Sequence, residues 1–435
     1  MIAINRPAPR AGLWGPPSVS RMPEGDRPET DLHSLLERVE AASPIAAIDV
    51  VADELAAAVG AQAVRFLIAD FSGRSLVRFG PPKPGEPGAR QQGGEQGQTL
   101  PLAGTVYERV LRTQHIDMRT LEDGVYLTVP VTDRGDAIGV IELTLPRHPD
   151  EQTLATVAAT AHALAYILIA NRRHTDLFEW GQRSTPFSLA AEIQRRLLPA
   201  SYTCEAGQFT LAGWLEPAST VGGDTFDYNL DREALHVSIT DAVGHEVEAA
   251  LLATLLVGSL RNSRRRGLGL LAQARTANDA LAAHARLGEF VTGQLLRVDL
   301  HRGRATIINA GHPWPLRLRD GQVEQVELDI DLPFGLQPGR TFRVQEFPLA
   351  PGDRLAFVTD GMLERNAAQL DVAKALNETR DLHPREVVHE LGAAVLQVTG
   401  GDLRDDATVL VLDWYGGPAR LRDSMSGASR QHTSP

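Results

Sequence analysis

Five aspartates, far apart in the chain, each stand where a strand-like run gives way to a tight turn. Asp224 lies in VGGDTFDY, Asp241 ends LHVSIT, Asp360 ends DRLAFVT, and Asp405 and Asp406 precede ATVLVLDW. Strand ends gather along one edge of a sheet, so carboxylates placed in this way can meet. Hard cations such as Mg2+ and Mn2+ take oxygen ligands and keep several waters, so a few carboxylates are enough to hold them. Two such ions, about 3.5–4 Å apart, can share a water, lower its pKa and clamp a phosphoryl group. Attack on phosphorus then needs no serine or cysteine nucleophile. None is evident: the chain has no Gly-x-Ser-x-Gly elbow, and Cys204, its sole cysteine, is followed by no phosphate loop.

The neighbours of these aspartates have their own expected roles. Gly222 and Gly223 are predicted to turn the backbone sharply before Asp224, and Gly361 to do the same after Asp360. Ala242 is small enough to leave its carbonyl accessible beside Asp241. Gly244 precedes a helix whose N-terminus would face an anionic site. Asp227, three residues after Asp224, reads as a turn residue or a supporting neighbour. His245 is expected to orient its loop by a hydrogen bond, and Asn309 and His312 in NAGHPWP to fix a turn between strands. The run Arg261–Arg266 reads as the end of a helix, and Arg365 as a solvated surface residue.

The elements that must position these groups occupy only part of the chain. At 435 residues, two domains with linkers are expected. A hydrophobic fraction of 43% and a charged fraction of 23% are those of a globular protein. The net charge of −12, with no long basic run, argues against a nucleic-acid partner. One cysteine excludes an intrachain disulfide and suits the cytoplasm. No secretory signal is visible, and the Ala-rich stretch 154–170 reads as too weakly apolar to span a bilayer.

Residues 1–30 read as a disordered tail. Apolar residues from Leu32 to Val59 recur at threes and fours, as helices require. Strand-like AVRFLIAD and SLVRFG follow, then a Pro-, Gly- and Gln-rich stretch, 81–98, expected as a mobile loop. A helix over GTVYERVLRTQ, two strands VYLTVPVTD and AIGVIELTL joined by an Arg-Gly-Asp turn, and one long helix from 150 to about 183 complete this half. A further helix, PFSLAAEIQRRLLP, stops before Pro199 with Leu189, Ile193 and Leu197 as its apolar face and Ala190 and Gln194 beside it. The predicted division is a tail (1–30), a sensory domain (31–172), a helical linker (173–200), a second domain (201–415) and a polar tail (416–435) with no kinase or antagonist domain after it.

The VPV…AIGVIEL stretch and the element order resemble GAF-type sensory domains, which implies an α/β domain with an unidentified small ligand. Beyond it, EIQRRLLP, VGGDTFDY, DAVGHEVEAALLATLL, NAGHPWP, LPFGL, PGDRLAFVTDGMLE and DDATVLVL occur in order. Together they resemble the SpoIIE/RsbU-type branch of the metal-dependent protein phosphatases, the PPM or protein phosphatase 2C-like class. The resemblance implies an α+β chain whose C-terminal domain is a four-layer αββα sandwich. It further implies two divalent cations, Mn2+ or Mg2+, and hydrolysis of phosphoserine or phosphothreonine on a protein. The expected substrate is a STAS-type anti-anti-sigma factor of a partner-switching pathway.

By motif, Asp224 carries over as ligand of one metal, Asp241 as the bridging ligand, the Ala242 carbonyl as a further contact, and Asp360 and Asp405 as the remaining ligands. Asp406 stays open as an alternative to Asp405, and Gly223, Gly244 and Gly361 shape the surroundings. One departure stands out: the family has Gly-His-Gly after the bridging aspartate, where this chain reads Gly244-His245-Glu246. That Glu either caps the following helix or weakens catalysis, so a phosphoprotein-binding scaffold of the same fold is the alternative function. A metal-dependent hydrolase of a small phosphoester is a third. The apolar helices at 154–170 and 187–198 suggest a homodimer.

Overall fold

The computed structural model describes residues 32–80, 90–92, 95–184, 187–218, 222–244, 246–363, 370–401 and 403–417, without the side chains of Arg90, Gln91 and Glu246. The predicted N-terminal tail and all but the first two residues of the C-terminal one lie outside the described residues, as do His245, the side chain of Glu246 and Arg365.

The N-terminal half is an antiparallel sheet with helices on both faces. Its elements are α1 (Leu32–Ala41), α2 (Ala47–Val59), β1 (Ala63–Ala69), β2 (Ser75–Gly80), β3 (Arg90–Gln92), β4 (Glu95–Pro101), α3 (Val106–Thr113), β5 (Asp117–Leu121), β6 (Gly124–Asp133), β7 (Asp136–Leu145) and α4 (Glu151–Asn171). The strand order is β3-β4-β2-β1-β7-β6-β5. Helices α2 and α4 bury Val51, Leu55, Val157, Leu164 and Leu168 against Phe66, Ile68, Leu127, Val129 and Ile141 of the sheet. On the other face α3 packs Val110 and Leu111 on Leu67, Leu76 and Val140. The β6–β7 hairpin turns through Arg134 (φ 47°) and Gly135 (φ 82°), the two positive φ values that a tight hairpin turn needs.

Three expectations change here. Part of the stretch expected as a mobile loop is strand: β4 pairs along β2 from Ser75↔Pro101 to Gly80↔Gln96, and β3 pairs with β4. These strands are held by main-chain bonds, which Gly and Gln make as well as any residue. Strand β5 carries mostly exposed side chains and showed no alternation to read. The long helix is two: α4 ends at Asn171, and a short α5 (Leu177–Gly181) follows. By length and composition α4 is apolar enough to cross a bilayer, contrary to expectation. In this fold one side of it is buried on the sheet.

Helix α6 (Leu189–Leu197) starts on Ser188, whose hydroxyl accepts from Ala191 N at 3.1 Å. Its buried side is Ala190, Ala191, Gln194 and Leu197, whereas Leu189 is 64% exposed. The expected apolar face is therefore rotated, and a polar residue, Gln194, points inward.

The C-terminal half has four layers. One sheet has the order β10-β11-β12-β13-β16, from β10 (Thr225–Leu230), β11 (Ala234–Ala242), β12 (Val291–Asp299), β13 (Arg304–Ala310) and β16 (Gln345–Pro348). The other has the order β15-β14-β17-β18-β9-β8, from β8 (Thr203–Glu205), β9 (Phe209–Glu216), β14 (Leu316–Arg319), β15 (Gln322–Gln325), β17 (Asp353–Val358) and β18 (Ala407–Trp414). Phe209, Phe226, Val237, Leu296, Ile307, Phe357, Leu412 and Trp414 fill the space between them. Helices α7 (Glu246–Arg265) and α8 (Leu270–Ala282) cover the outside of the first sheet through Leu256, Val257 and Leu281. Helices α9 (Val372–Glu378) and α10 (Pro384–Thr399) cover the second through Leu376, Val388 and Leu391. This is the expected αββα sandwich.

Buried polar contacts tie the halves together. Arg385, 4% exposed at the start of α10, donates to the Gly135 carbonyl at 2.9 Å and to the Arg112 carbonyl. Glu205 N donates to the Arg134 carbonyl at 3.0 Å. Within the C-terminal half, the Glu205 carboxylate meets His383 Nε2 at 3.0 Å, both side chains nearly inaccessible. Nearer the surface, Arg74 of the N-terminal half pairs with Glu216 of the C-terminal half at 3.0 Å.

Candidate active site

The two inner sheets bring the predicted aspartates to one end of the sandwich. Asp224 immediately precedes β10 and is 2% exposed. Its Oδ2 accepts from Thr359 Oγ1 at 2.7 Å and from Thr408 Oγ1 at 2.6 Å, so one carboxylate joins the two sheets. Thr359 and Thr408 face each other across β17 and β18, where Thr359 N donates to the Thr408 carbonyl at 3.1 Å. Asp360 follows Thr359 directly, half-buried in a short 3-10 turn (Asp360–Met362).

Asp241 sits one residue from the end of β11, half-buried, in register with Thr292 of β12. The β10–β11 pairing of Thr225 with Thr240, sealed by a 2.6 Å bond between their hydroxyls, sets Asp224 beside it. Gly223 lies so close to the Ala242 carbonyl that a Cβ would stand 2.4 Å from that oxygen. Close approach, and not the sharp turn expected, is the reason for glycine here. Burial raises the Asp224 carboxyl well above the usual carboxylate range, and the charges of Asp241 and Asp406 raise it further.

Asp406 does a different job from its neighbour. It is 1% exposed; Oδ1 accepts from Ala218 N at 2.8 Å, and Oδ2 from Gln194 Nε2 at 2.6 Å, Gly223 N at 3.1 Å and Asp224 N at 3.3 Å. Asp405, half-buried, accepts from Asp406 N at 2.8 Å. The sequence left the two open; here Asp406 is spent on donors from the chain.

Residues 231–415 match the family model described as Stage II sporulation protein E (SpoIIE), and residues 43–168 match the GAF domain model. The C-terminal half is a SpoIIE-family phosphatase domain. The N-terminal half is a GAF domain. Curated relatives of the chain include phosphoserine phosphatase RsbU of Bacillus subtilis, 21% identical over 52% of this chain and 68% of its own length. Phosphoserine phosphatase RsbP of the same organism is 24% identical over 41% of this chain and 45% of its own length. Among solved structures, the PP2C phosphatase domain of B. subtilis SpoIIE with a fragment of its regulatory domain covers 72% of this chain and 86% of its own, at 15% identity and a TM-score of 0.42.

Among the described residues of the SpoIIE domain, no three His, Cys, Asp or Glu side chains are grouped closely enough to enclose one cation. The donor set nevertheless fits hard divalent ions in kind: oxygen donors only, with the buried Asp224 charge opposed by Asp241 and Asp406. Asp227 has another role. Arg261 and Arg264, near the end of α7, hold its carboxylate at 2.9 and 3.2 Å. Asn309 and His312 fix their turn as expected, the amide donating to the His312 carbonyl at 2.9 Å and accepting from its N at 2.8 Å. His312 Nδ1 also lies 3.0 Å from Thr292 Oγ1, and burial pushes the ring down to about 4, so it stays neutral near pH 7.

Three residues of the site were not found in the sequence: Gln194, Thr359 and Thr408. Gln194 reaches from α6 to the Asp224 carbonyl at 2.8 Å as well as to Asp406. The threonines carried a faint signal, each standing within two residues of a candidate ligand.

Gly361 is confined by the same cluster: a Cβ there would lie 2.0 Å from the Asp406 carbonyl oxygen. Gly361→Ala is expected to cost about 3 kcal/mol, because main chain and not a flexible side chain must yield. The midpoint of urea unfolding measures it, and a midpoint equal to the parent's would contradict so close an approach.

Proposed function

We propose that this protein is a sensor-regulated phosphatase that hydrolyses phosphoserine or phosphothreonine on a protein. Asp224, Asp241, the Ala242 carbonyl, Asp360 and Asp405 would hold two divalent cations, Mn2+ or Mg2+. The observation that carries the reading is the buried Asp224 carboxylate, pressed by Asp241 and Asp406 at the converging strand ends. When bound, such cations supply an activated water and neutralise charge on the phosphoryl oxygens. The chain's own groups do the positioning: Thr359 and Thr408 fix Asp224, and Asp406 with Gln194 fixes the segment leading into it. In this reading Asp241 would be the ligand shared by the two cations.

The names of RsbU and RsbP support a phosphoserine substrate. With the family resemblance, they favour a STAS-type anti-anti-sigma factor in a cytoplasmic partner-switching pathway. A homodimer fits the exposed Leu32 and Leu36 on α1 and Tyr166 and Ile169 on α4. A second reading, a phosphoprotein-binding scaffold, is favoured by the open arrangement of the carboxylates.

The test incubates the full chain with a phosphoserine protein, with Mn2+, with Mg2+ and with chelator. Phosphate release in Mn2+ or Mg2+, lost on chelation, is the expected result. Binding of the phosphoprotein without release in either metal would select the scaffold. Much faster hydrolysis of nucleotides than of phosphoprotein would reassign the substrate to small phosphoesters.

A further inference from the structure

Between the GAF and SpoIIE domains lies a cavity of about 1040 Å3. Small-molecule sites commonly form at such domain boundaries, with volumes up to about this size. Its walls come from the ends of β1 and α4, the β6–β7 turn, α3, α6 and α10. Two arginines on these walls, Arg172 and Arg195, each bury an Nε that has no hydrogen-bond partner.

Arg172, just past α4, makes no hydrogen bond or ion pair with its side chain among the described residues, and its Nε is buried without a partner. Arg195, on α6, lies over the rings of Phe71 at 3.8 Å and Tyr202 at 4.9 Å, and its Nε is likewise buried and unpartnered. The two are close enough to act on each other: Arg195, together with burial, lowers the pKa of Arg172. Nearby acids, Asp136 and Glu179, act on Arg172 only from beyond ion-pair range. Glu179 already pairs with Arg183 at 3.4 Å and Arg196 at 2.8 Å. Asp136 acts on Arg172 without coming within the 4.0 Å of an ion pair. Both side chains are half-buried, and leaving a buried N–H without a partner is costly; a bound oxyanion would remove that cost.

We infer that this cavity binds a small organic anion whose phosphate or carboxylate group sits between Arg172 and Arg195. The rings of Phe71 and Tyr202 hold the Arg195 guanidinium flat in advance, which lowers the ordering cost of binding. The site joins the sensor to the catalytic half. Phe71 belongs to the GAF domain, and Arg195 is the residue after Gln194, whose amide reaches Asp406. An anion that shifts α6 therefore acts on the carboxylate cluster. That coupling rests on the phosphatase reading, whereas the binding itself does not.

The experiment uses the full chain in chelator, which removes any cation-supported anion site at the carboxylates. Inorganic phosphate, adenosine 5′-monophosphate and citrate are titrated by calorimetry and by melting, against potassium chloride of equal ionic strength. At about tenfold excess over Kd, at least one probe raises Tm by about 3 °C. Phosphate and the nucleotide against citrate tell a phosphate-binding site from a carboxylate one. Arg172→Gln and Arg195→Gln each weaken binding at least about tenfold, with far-UV dichroism confirming the fold, and Arg172→Lys retains part of it. No saturable binding of any probe beyond the salt control overturns the inference. So does binding that survives in both glutamine variants.

Discussion

Asp241→Ala lowers phosphate release from a phosphoserine protein by about 10³-fold, an effect of the size seen when one fixed electrostatic contact to the reacting group is lost. The fold should survive. Asp241 lies near the end of a strand flanked on both sides, and the ladder from Ala234↔Asp299 to Ala242↔Val291 is made by main chain. Its removal also relieves a like charge acting on the buried Asp224, so the melting temperature should hold or rise slightly. The parent and variant are compared by phosphate release in Mn2+ and by thermal unfolding in chelator, where no bound cation adds to the stability of either. A variant that keeps about a tenth of the parent rate would remove Asp241 from the bridging position.

The second large effect separates two adjacent aspartates. Asp405→Asn should cut turnover by about 10²-fold with little change in stability, since its side chain is half-buried and an asparagine oxygen can still accept from the Asp406 N. Asp406→Ala should instead destabilise the fold by about 2–4 kcal/mol, because Ala218 N, Gly223 N, Asp224 N and the Gln194 amide lose their acceptor. Part of that loss is offset, because burial makes the Asp406 charge itself costly. Urea unfolding and phosphate release on the same preparations measure both. Equal stability of the two variants would mean that Asp406 does not hold Ala218, Gly223 and Asp224 in place.

Much of the site was legible because its signal is local. An aspartate at the end of an apolar run is visible in the sequence, as Asp241 and Asp360 are, and Asp224 stood out beside its paired glycines. What was not legible depends on distance along the chain. Gln194 lies 212 residues from Asp406, and nothing near it marks its amide as pointing inward. Ala190 and Ala191 drew less weight than Leu189, although the alanines are buried and the leucine is not. Helix orientation here follows close packing, which small residues allow, more than side-chain hydrophobicity. The paired β3 and β4 escaped for a related reason. Their stretch is poor in β-branched residues, and main-chain pairing leaves no side-chain pattern to read.

The grip of Arg385 on the GAF domain has an evolutionary consequence. Its partners there are the carbonyls of Arg112 and Gly135, atoms that every residue possesses. A contact of this kind recognises the course of the backbone and is blind to side chains. These two bonds therefore survive side-chain exchange on the GAF domain as long as its main chain keeps its course, whereas the Arg74–Glu216 pair does not. Gly135 itself is the exception, because a Cβ there would stand 2.7 Å from the Glu205 carboxylate in a turn at φ 82°. Of the two residues that offer their carbonyls to Arg385, only Gly135 is thus tied to its residue type.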